Sequence, residues 1–448
     1  MHHLKIACDR MLSSIGFFLL FCLILPGYSQ FFSTCDCASE AELVQSIGAH
    51  EEHNFRMSQK FIKIFYDQGK LPSSFDPTSK KETLHYLTLL GKRNPALLFY
   101  AYNENKGRFC AWLMQGEEVF ASEATLIDPY AFNALVPDLQ KALRISVANQ
   151  SNIPRLRDAA PLESFEDPQP SLPKMITKVS AVMFPPQISE AIRQKKINTL
   201  VIVPSSNLGT IPFYLLQIGE LNLVDHISIV VAPGFYAFKE LPRKSDYTFR
   251  TPIIFGDPKG YDDARWIFPA LPGARAEARE VAELLAAVAD TGEAASLANF
   301  QKQLQKKPQT GLIYLATHGI ADAIDANDSS FVLFSDGHLS ARDISRLQLR
   351  SHPLVVLSAC QTGLGKNFGA GTIGLARAFI HAGASQVIMS LWSIDDLSTR
   401  HLMTDFITLT KKFPVDLALQ QAVQHARNAN PGQPALWAGF SVFGVPSY

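Results

Sequence analysis

Two side chains in this sequence stand where apolar runs stop. Leu312-Ile-Tyr-Leu-Ala-Thr317 delivers His318-Gly319, and Leu354-Val-Val-Leu-Ser-Ala359 delivers Cys360-Gln361-Thr362-Gly363. If the two runs are parallel strands of one sheet, the imidazole and the thiol emerge side by side at one rim. A thiol attacks a carbonyl only as its thiolate. A neighbouring imidazole takes that proton and later returns it to a leaving amine. Gly319 has a permissive backbone whose N–H can face an oxyanion, with the Cys360 N–H as the second donor. Either residue alone reads as ordinary core. Their joint occurrence at strand ends, each followed closely by glycine, points to a Cys–His dyad.

Asp395-Asp396 follows the apolar run Gln386–Leu391 and is expected at the same rim. Two carboxylates at a cleft mouth favour a cationic substrate group. The competing role is a helix N-cap, which Asp396 would serve for a helix beginning near Leu397. The two roles are compatible. Asp257, after Pro252–Gly256, reads as a turn residue before Pro258. Gly369-Ala-Gly371-Thr-Ile-Gly374 spells G-x-G-x-x-G before a helix. A dinucleotide fingerprint needs its first glycine directly after a strand, and here the strand stops at Ala359. The glycines read instead as a flexible loop beside Cys360 that also permits close helix packing. No cofactor is implied. Cys35-Asp36-Cys37 is a lone C-x-C, and His338, His352, His381 and His401 lack metal-ligand spacing, so no metal site is expected.

The elements that must position these residues follow from composition and periodicity. The chain has 448 residues, 41 Lys+Arg against 41 Asp+Glu, 47% hydrophobic and 18% charged residues. A formal net charge of zero argues against a nucleic-acid partner bound through a basic surface, and the apolar content excludes a disordered chain. From Thr199 onward, apolar strands alternate with helices: Thr199–Pro204, Ile227–Ala232, Pro252–Gly256, Leu312–Thr317, Phe331–Phe334, Leu354–Ala359 and Gln386–Leu391. Helices are expected at Arg275–Ala289, Thr372–Ala382 and Leu397–Lys411. This pattern predicts an α/β fold with a mainly parallel sheet covered by helices on both faces. Upstream, strands at Ala96–Tyr102, Gly107–Gln115 and near Glu118–Ala121 suggest a hairpin, followed by a helix around Pro137–Val147. A proline-bearing stretch from Asn149 to Pro173 reads as a linker, and residues 38–92 read as helices.

Lys5 and Arg10 precede an apolar run from Ile15 to Leu25, and Gly27 and Ser29 are small residues suited to cleavage after Ser29. Residues 1–29 therefore read as a secretory signal peptide, with export expected and an uncleaved membrane anchor as the alternative. No membrane span is expected after cleavage. Four cysteines would then remain, Cys35, Cys37, Cys110 and Cys360, too few for a disulfide framework. Pairing of Cys35, Cys37 or Cys110, with one another or with Cys360, stays open.

Tyr314-Leu-Ala-Thr-His-Gly319, Leu357-Ser-Ala-Cys-Gln-Thr-Gly363, Gly371–Gly383 and Ser390-Leu-Trp-Ser-Ile-Asp-Asp396 resemble the CHAT-domain family of caspase-like cysteine peptidases, relatives of separase. Val203-Pro-Ser-Ser-Asn-Leu-Gly-Thr-Ile-Pro-Phe213 and Leu436-Trp-Ala-Gly-Phe440 extend the resemblance over roughly residues 94–448. His318 precedes Cys360 by 42 residues, near the roughly 50 between histidine and cysteine in caspases. The resemblance implies a caspase-like α/β fold, His318 as general base, Cys360 as nucleophile and no catalytic metal. Asp396 matches the acid that receives a basic P1 side chain in family relatives. The expected organisation is a signal peptide (1–29), a helical segment (30–93) and one CHAT unit (94–448), whose front extension and linker run to 173. The expected function is an exported cysteine endopeptidase acting on a protein or peptide after a basic residue, open to a regulatory protein partner. The rival reading is a catalytically silent scaffold or interaction module.

Overall fold

Leu312–Ala316, Leu354–Leu357 and Gln386–Ser390 are buried at every position. Unbroken apolar runs of this length mark strands covered on both faces. The computed structural model describes residues 34–35, 93–115, 118–143, 155–156, 170–204, 206–234, 237–240, 249–320, 330–358, 360–361, 368–392 and 394–446. The expected signal peptide and the helices expected over 38–92 lie outside the described residues.

In chain order the strands of the two larger sheets are β1 (Thr34–Cys35), β2 (Pro95–Asn103), β3 (Arg108–Gln115), β4 (Glu118–Leu126), β5 (Thr199–Val203), β6 (Ser228–Val231), β7 (Ile253–Pro258) and β8 (Ala289–Gly292). They continue as β9 (Leu312–Ala316), β10 (His318–Ile320), β11 (Phe331–Phe334), β12 (Gly337–Ser340), β13 (Leu354–Leu357), β14 (Cys360–Gln361), β15 (Gln386–Ser390) and β16 (Phe440–Gly444). The longer helices are α1 (Pro129–Ala142), α2 (Leu172–Met183), α3 (Pro186–Gln194), α4 (Pro272–Leu284), α5 (Leu297–Lys306), α6 (Phe368–His381), α7 (Asp396–Leu409) and α8 (Val415–Ala429).

One 12-stranded sheet runs in the order β1-β4-β3-β2-β5-β6-β16-β15-β13-β9-β7-β8. Pairing is parallel from β2 to β16 and from β15 to β8. It is antiparallel through β1–β4 to β2 and between β15 and β16. The fold is thus α/β with a mainly parallel sheet flanked by helices. The last strand inserts between β6 and β15 and closes two parallel blocks into one sheet. A smaller sheet, β12-β11-β10-β14, sits at the carboxyl rim.

Several boundaries differ from expectation for identifiable reasons. The helix expected over Arg275–Ala289 stops at Leu284, and Ala289 instead begins the edge strand β8, paired with β7. Helix α1 starts eight residues before Pro137, because Asp128 caps it by accepting from the Ala131 N–H and Pro129 suits its first turn. The glycines Gly369, Gly371 and Gly374 fall inside α6, correcting the loop expected there. Part of the expected linker, Arg155–Leu156, pairs with Trp266–Ile267.

The sheet also bears on the cysteines. Cys35 and Cys110 are both register partners of Ala124, on its opposite sides. Two strand spacings separate their Cα atoms by roughly 10 Å, beyond disulfide reach. β3, which carries Cys110, lies six places from β13 in the sheet order, roughly 29 Å away, so Cys110 is remote from Cys360. Cys37 lies outside the described residues.

The antiparallel front and the C-terminal helices are tied by a buried charge. Asp416 at the start of α8 is fully buried, ion-paired with Arg93 just ahead of β2, and accepts from Ser228 Oγ of β6 at 2.8 Å. Removing the acid takes away the buried acceptor shared by the Arg93 guanidinium and the Ser228 hydroxyl. Asp416→Ala is therefore expected to cost about 3–5 kcal/mol of folding stability by urea denaturation, and a loss under 1 kcal/mol would contradict this role.

Candidate active site

The two strands carrying the expected dyad both leave the large sheet at its rim. β9 ends at Ala316 and, after Thr317, resumes as β10, while β13 ends at Leu357 and its chain resumes as β14. Thr317 Oγ1 donates to the Leu333 carbonyl at 2.9 Å and anchors the crossing to β11. In the small sheet β10 and β14 are parallel neighbours, with His318 the register partner of Cys360 and Gly319 that of Gln361. Adjacent strands stand about 4.8 Å apart. The backbones of the two residues are therefore side by side, as the strand-end reading required.

The His318 side chain is 1% exposed. Its Nε2 lies 2.7 Å from the Pro269 carbonyl oxygen, which only accepts, so Nε2 carries the proton and donates. The Phe268 ring packs 5.5 Å from the imidazole, tilted by 38°. Nδ1 then bears the lone pair, and it is buried without a hydrogen-bond partner among the described residues. Burial pushes the imidazole pKa down to about 4, against the upward pull of the Pro269 carbonyl and the Asp257 charge. At neutral pH His318 is uncharged, with its basic nitrogen unpaired among the described residues.

The loop holding the imidazole is itself held. Asp257 sits at a register shift in β7, in left-handed backbone conformation (φ 44°), which aspartate tolerates better than most residues. Its Oδ1 accepts from the Leu271 N–H at 2.7 Å, and its Oδ2 lies 2.6 Å from Arg275 Nη2 on α4. These contacts bracket Phe268 and Pro269 and fix the carbonyl that orients His318. The residue read as a plain turn is thus a support of the site. Gly256 beside it has no room for a side chain: a Cβ there would come within 2.6 Å of Ala278 Cβ, so α4 packs directly on β7.

Asp395 and Asp396 separate into two roles. Asp395 is exposed and is the N-cap of α7, accepting from the Ser398 N–H at 3.1 Å. This corrects the expectation that Asp396 would serve as the cap. Asp396 is the first residue of α7, half-buried, and its Oδ2 accepts from the Gly273 N–H at 3.3 Å. That N–H belongs to the first turn of α4, where free amides and the helix dipole favour a carboxylate. A Cβ on Gly273 would meet Asp396 Cβ at 2.3 Å, so only glycine lets the two helix starts approach this closely.

Deeper in α4, Glu277 is 1% exposed and accepts from Tyr314 Oη of β9 at 2.6 Å. Its pKa is pushed up to about 7, by burial foremost, with Asp396 and Glu280 adding repulsion and Tyr314 and Ser358 opposing it. Pro269, Arg275 and Glu277 were not singled out from sequence. One signal was present, because Glu277 falls on the same helical stripe as Ala274, Ala278 and Val281, where an acid is out of place.

Residues 174–445, more than half of the chain, match the family model of the CHAT domain. The chain belongs to the CHAT-domain family. Human tetratricopeptide repeat protein 28 is 26% identical over 296 residues, and its mouse counterpart is 25% identical over 297. Each alignment covers 55% of this chain and 12% of the relative, so this CHAT protein spans about an eighth of the length of those proteins. Among solved structures, the separase–securin complex of Saccharomyces cerevisiae is similar with a TM-score of 0.48 and 12% identity, covering 83% of this chain and 31% of that one. The complex of the RgpB pro- and mature domains of Porphyromonas gingivalis aligns with a TM-score of 0.41 and 10% identity, over 60% and 71% of the two chains.

The His318 environment sets a pH dependence of known sign. The unfolded chain protonates this histidine near 6.5 and the folded CHAT domain near 4, so between those values the unfolded state holds more protons. Stability is therefore expected to fall as pH drops through that window, by roughly 2–4 kcal/mol in total. His318→Gln should flatten that slope in urea unfolding. A folded-state NMR titration of the imidazole near 6.5 would overturn the assignment.

Proposed function

We propose that this CHAT protein is an exported cysteine endopeptidase that cleaves protein or peptide chains after a basic residue through the Cys360–His318 dyad. The observation that carries the reading is the register pairing of His318 with Cys360, together with an imidazole whose Nε2 is anchored and whose Nδ1 is unpaired among the described residues. Nδ1 takes the thiol proton, and the thiolate sulfur attacks the scissile carbonyl to form a tetrahedral oxyanion. Backbone N–H groups at the start of β14, that of Cys360 first, are the donors proposed for that oxyanion. The imidazolium returns its proton to the leaving amine, leaving an acyl-enzyme. Water then attacks with the same nitrogen as base, and the thiol is restored. No step uses a cofactor.

A neutral histidine of depressed pKa supports general-base activation at the moment of attack rather than a standing thiolate–imidazolium pair. Asp396 supplies the carboxylate for a basic P1 side chain, with Asp395 beside it at the helix start. The Gly273 N–H orients Asp396, whose carboxylate is the charge that would attract a guanidinium or ammonium. Export rests on the N-terminal apolar run and its flanking charges.

Cys360→Ala and His318→Ala are each expected to abolish cleavage of fluorogenic Arg and Lys peptides while the fold is kept. Retained turnover in either variant removes the dyad, and a wild-type chain inert toward a peptide library leaves the CHAT fold as a binding module. Asp396→Ala and Gly273→Ala should both erase the preference for Arg and Lys, the second by displacing the carboxylate. An unchanged preference in Asp396→Ala refutes the pocket assignment.

A further inference from the structure

Behind the dyad, the buried acid Glu277 is bonded to β9 and faces the end of β13, the two strands that lead to His318 and Cys360. Glu277 projects from α4 and accepts from Tyr314 Oη on β9, four residues before His318. Ser358, two residues before Cys360, is buried and faces the same pair. Its hydroxyl completes no well-angled hydrogen bond in this rotamer, yet it lies close enough to lower the pKa of both Glu277 and Tyr314. Four groups face the Glu277 carboxyl: Tyr314 from β9, Ser358 from the end of β13, Asp396 from α7, and Glu280 from α4 itself, which is paired with Arg400 of α7.

The two protonation states have different hydrogen-bonding capacities. An ionised carboxylate only accepts, so it can take the Tyr314 and Ser358 hydroxyls together, one on each oxygen. A protonated carboxyl must spend one oxygen as a donor and holds the two hydroxyls less symmetrically. We propose that Glu277 is a positioning residue for the dyad, which in its ionised form accepts from Tyr314 and Ser358 at once and so pins the histidine strand to the cysteine strand. This rests on the peptidase reading above. It adds a control separate from the imidazole, whose pKa burial pushes down to about 4 whereas that of Glu277 is pushed up to about 7. Asp396 couples the control to substrate. A cation bound at Asp396 removes repulsion felt by Glu277 and favours its ionised state, so the same linkage tightens the strands when a basic side chain arrives.

The test is the pH profile of the full chain on a fluorogenic Arg peptide. In the wild type, kcat/KM is expected to rise about tenfold through pH ~7, the change that loss of one buried charged hydrogen bond produces. The corresponding step in kcat should lie at lower pH, because the occupied pocket favours ionisation. Glu277→Gln, which cannot ionise, should match the wild type near pH 6 and fall about tenfold below it near pH 8, in kcat rather than KM. A variant-to-wild-type ratio constant across pH overturns the proposal. Should Glu277→Gln fail to fold, Tyr314→Phe decides: loss of that donor should move the step upward, and an unmoved step is equally fatal. The rate of iodoacetamide labelling at Cys360, followed by peptide mass spectrometry without substrate, should show the same Glu277-dependent step near pH 7. That arm separates the two readings, since cleavage retained in Cys360→Ala sinks the peptidase while leaving the labelling step to be scored by itself.

Discussion

The hydrogen bond from His318 Nε2–H to the Pro269 carbonyl is the constraint on which the site depends. It settles which ring nitrogen is basic, and it offsets part of the cost of burying an imidazole to 1% exposure. A carbonyl serves here because its backbone is held by Asp257 through the Leu271 amide and Arg275. The next residues along the same segment then meet the rest of the rim. Gly273 reaches Asp396, and Glu277 reaches Tyr314. Ten consecutive residues, 268–277, thus contact His318, Asp257, Asp396 and Tyr314 on the strand that leads to His318.

Three carboxyl groups lie around the start of α4, and each is accommodated by a different device. Asp257 has a guanidinium and a backbone amide, Asp396 has the amide of a helix N-terminus, and Glu277 has only neutral hydroxyls. Burial with only neutral donors for company explains why the Glu277 pKa is pushed up to about 7. The acids thus run from the half-buried Asp396 at the helix start to the buried Glu277 one turn further along α4. The sheet makes this possible: the close packing of α4 on Gly256 places an acidic helix turn directly over the parallel strands.

Much of the fold was legible because its signals are local. Leu312–Ala316, Phe331–Phe334 and Val387–Met389 are apolar without interruption, and runs like these have few alternatives to a buried strand. Boundaries were poorer where local propensity and tertiary pairing disagreed. The alanine-rich stretch after Leu284 reads as continued helix, yet Ala289–Gly292 pairs with β7 because the sheet needs an edge there. The glycines of α6 read as loop by propensity, and their place inside a helix was not visible in the pattern.

Legible in the residues alone were the candidate groups of this rim: an imidazole and a thiol at the ends of two buried runs, an acidic pair after a third, and the motifs of a CHAT domain. These are properties of single residues and short periods, and they survive without knowing what packs against what. Only the tertiary structure decided the register that sets His318 beside Cys360, the division of labour between Asp395 and Asp396, and the enlistment of Pro269, Asp257, Arg275 and Glu277. Those assignments depend on contacts between segments far apart in the chain, and on burial, which turns an ordinary glutamate or histidine into one with a displaced pKa.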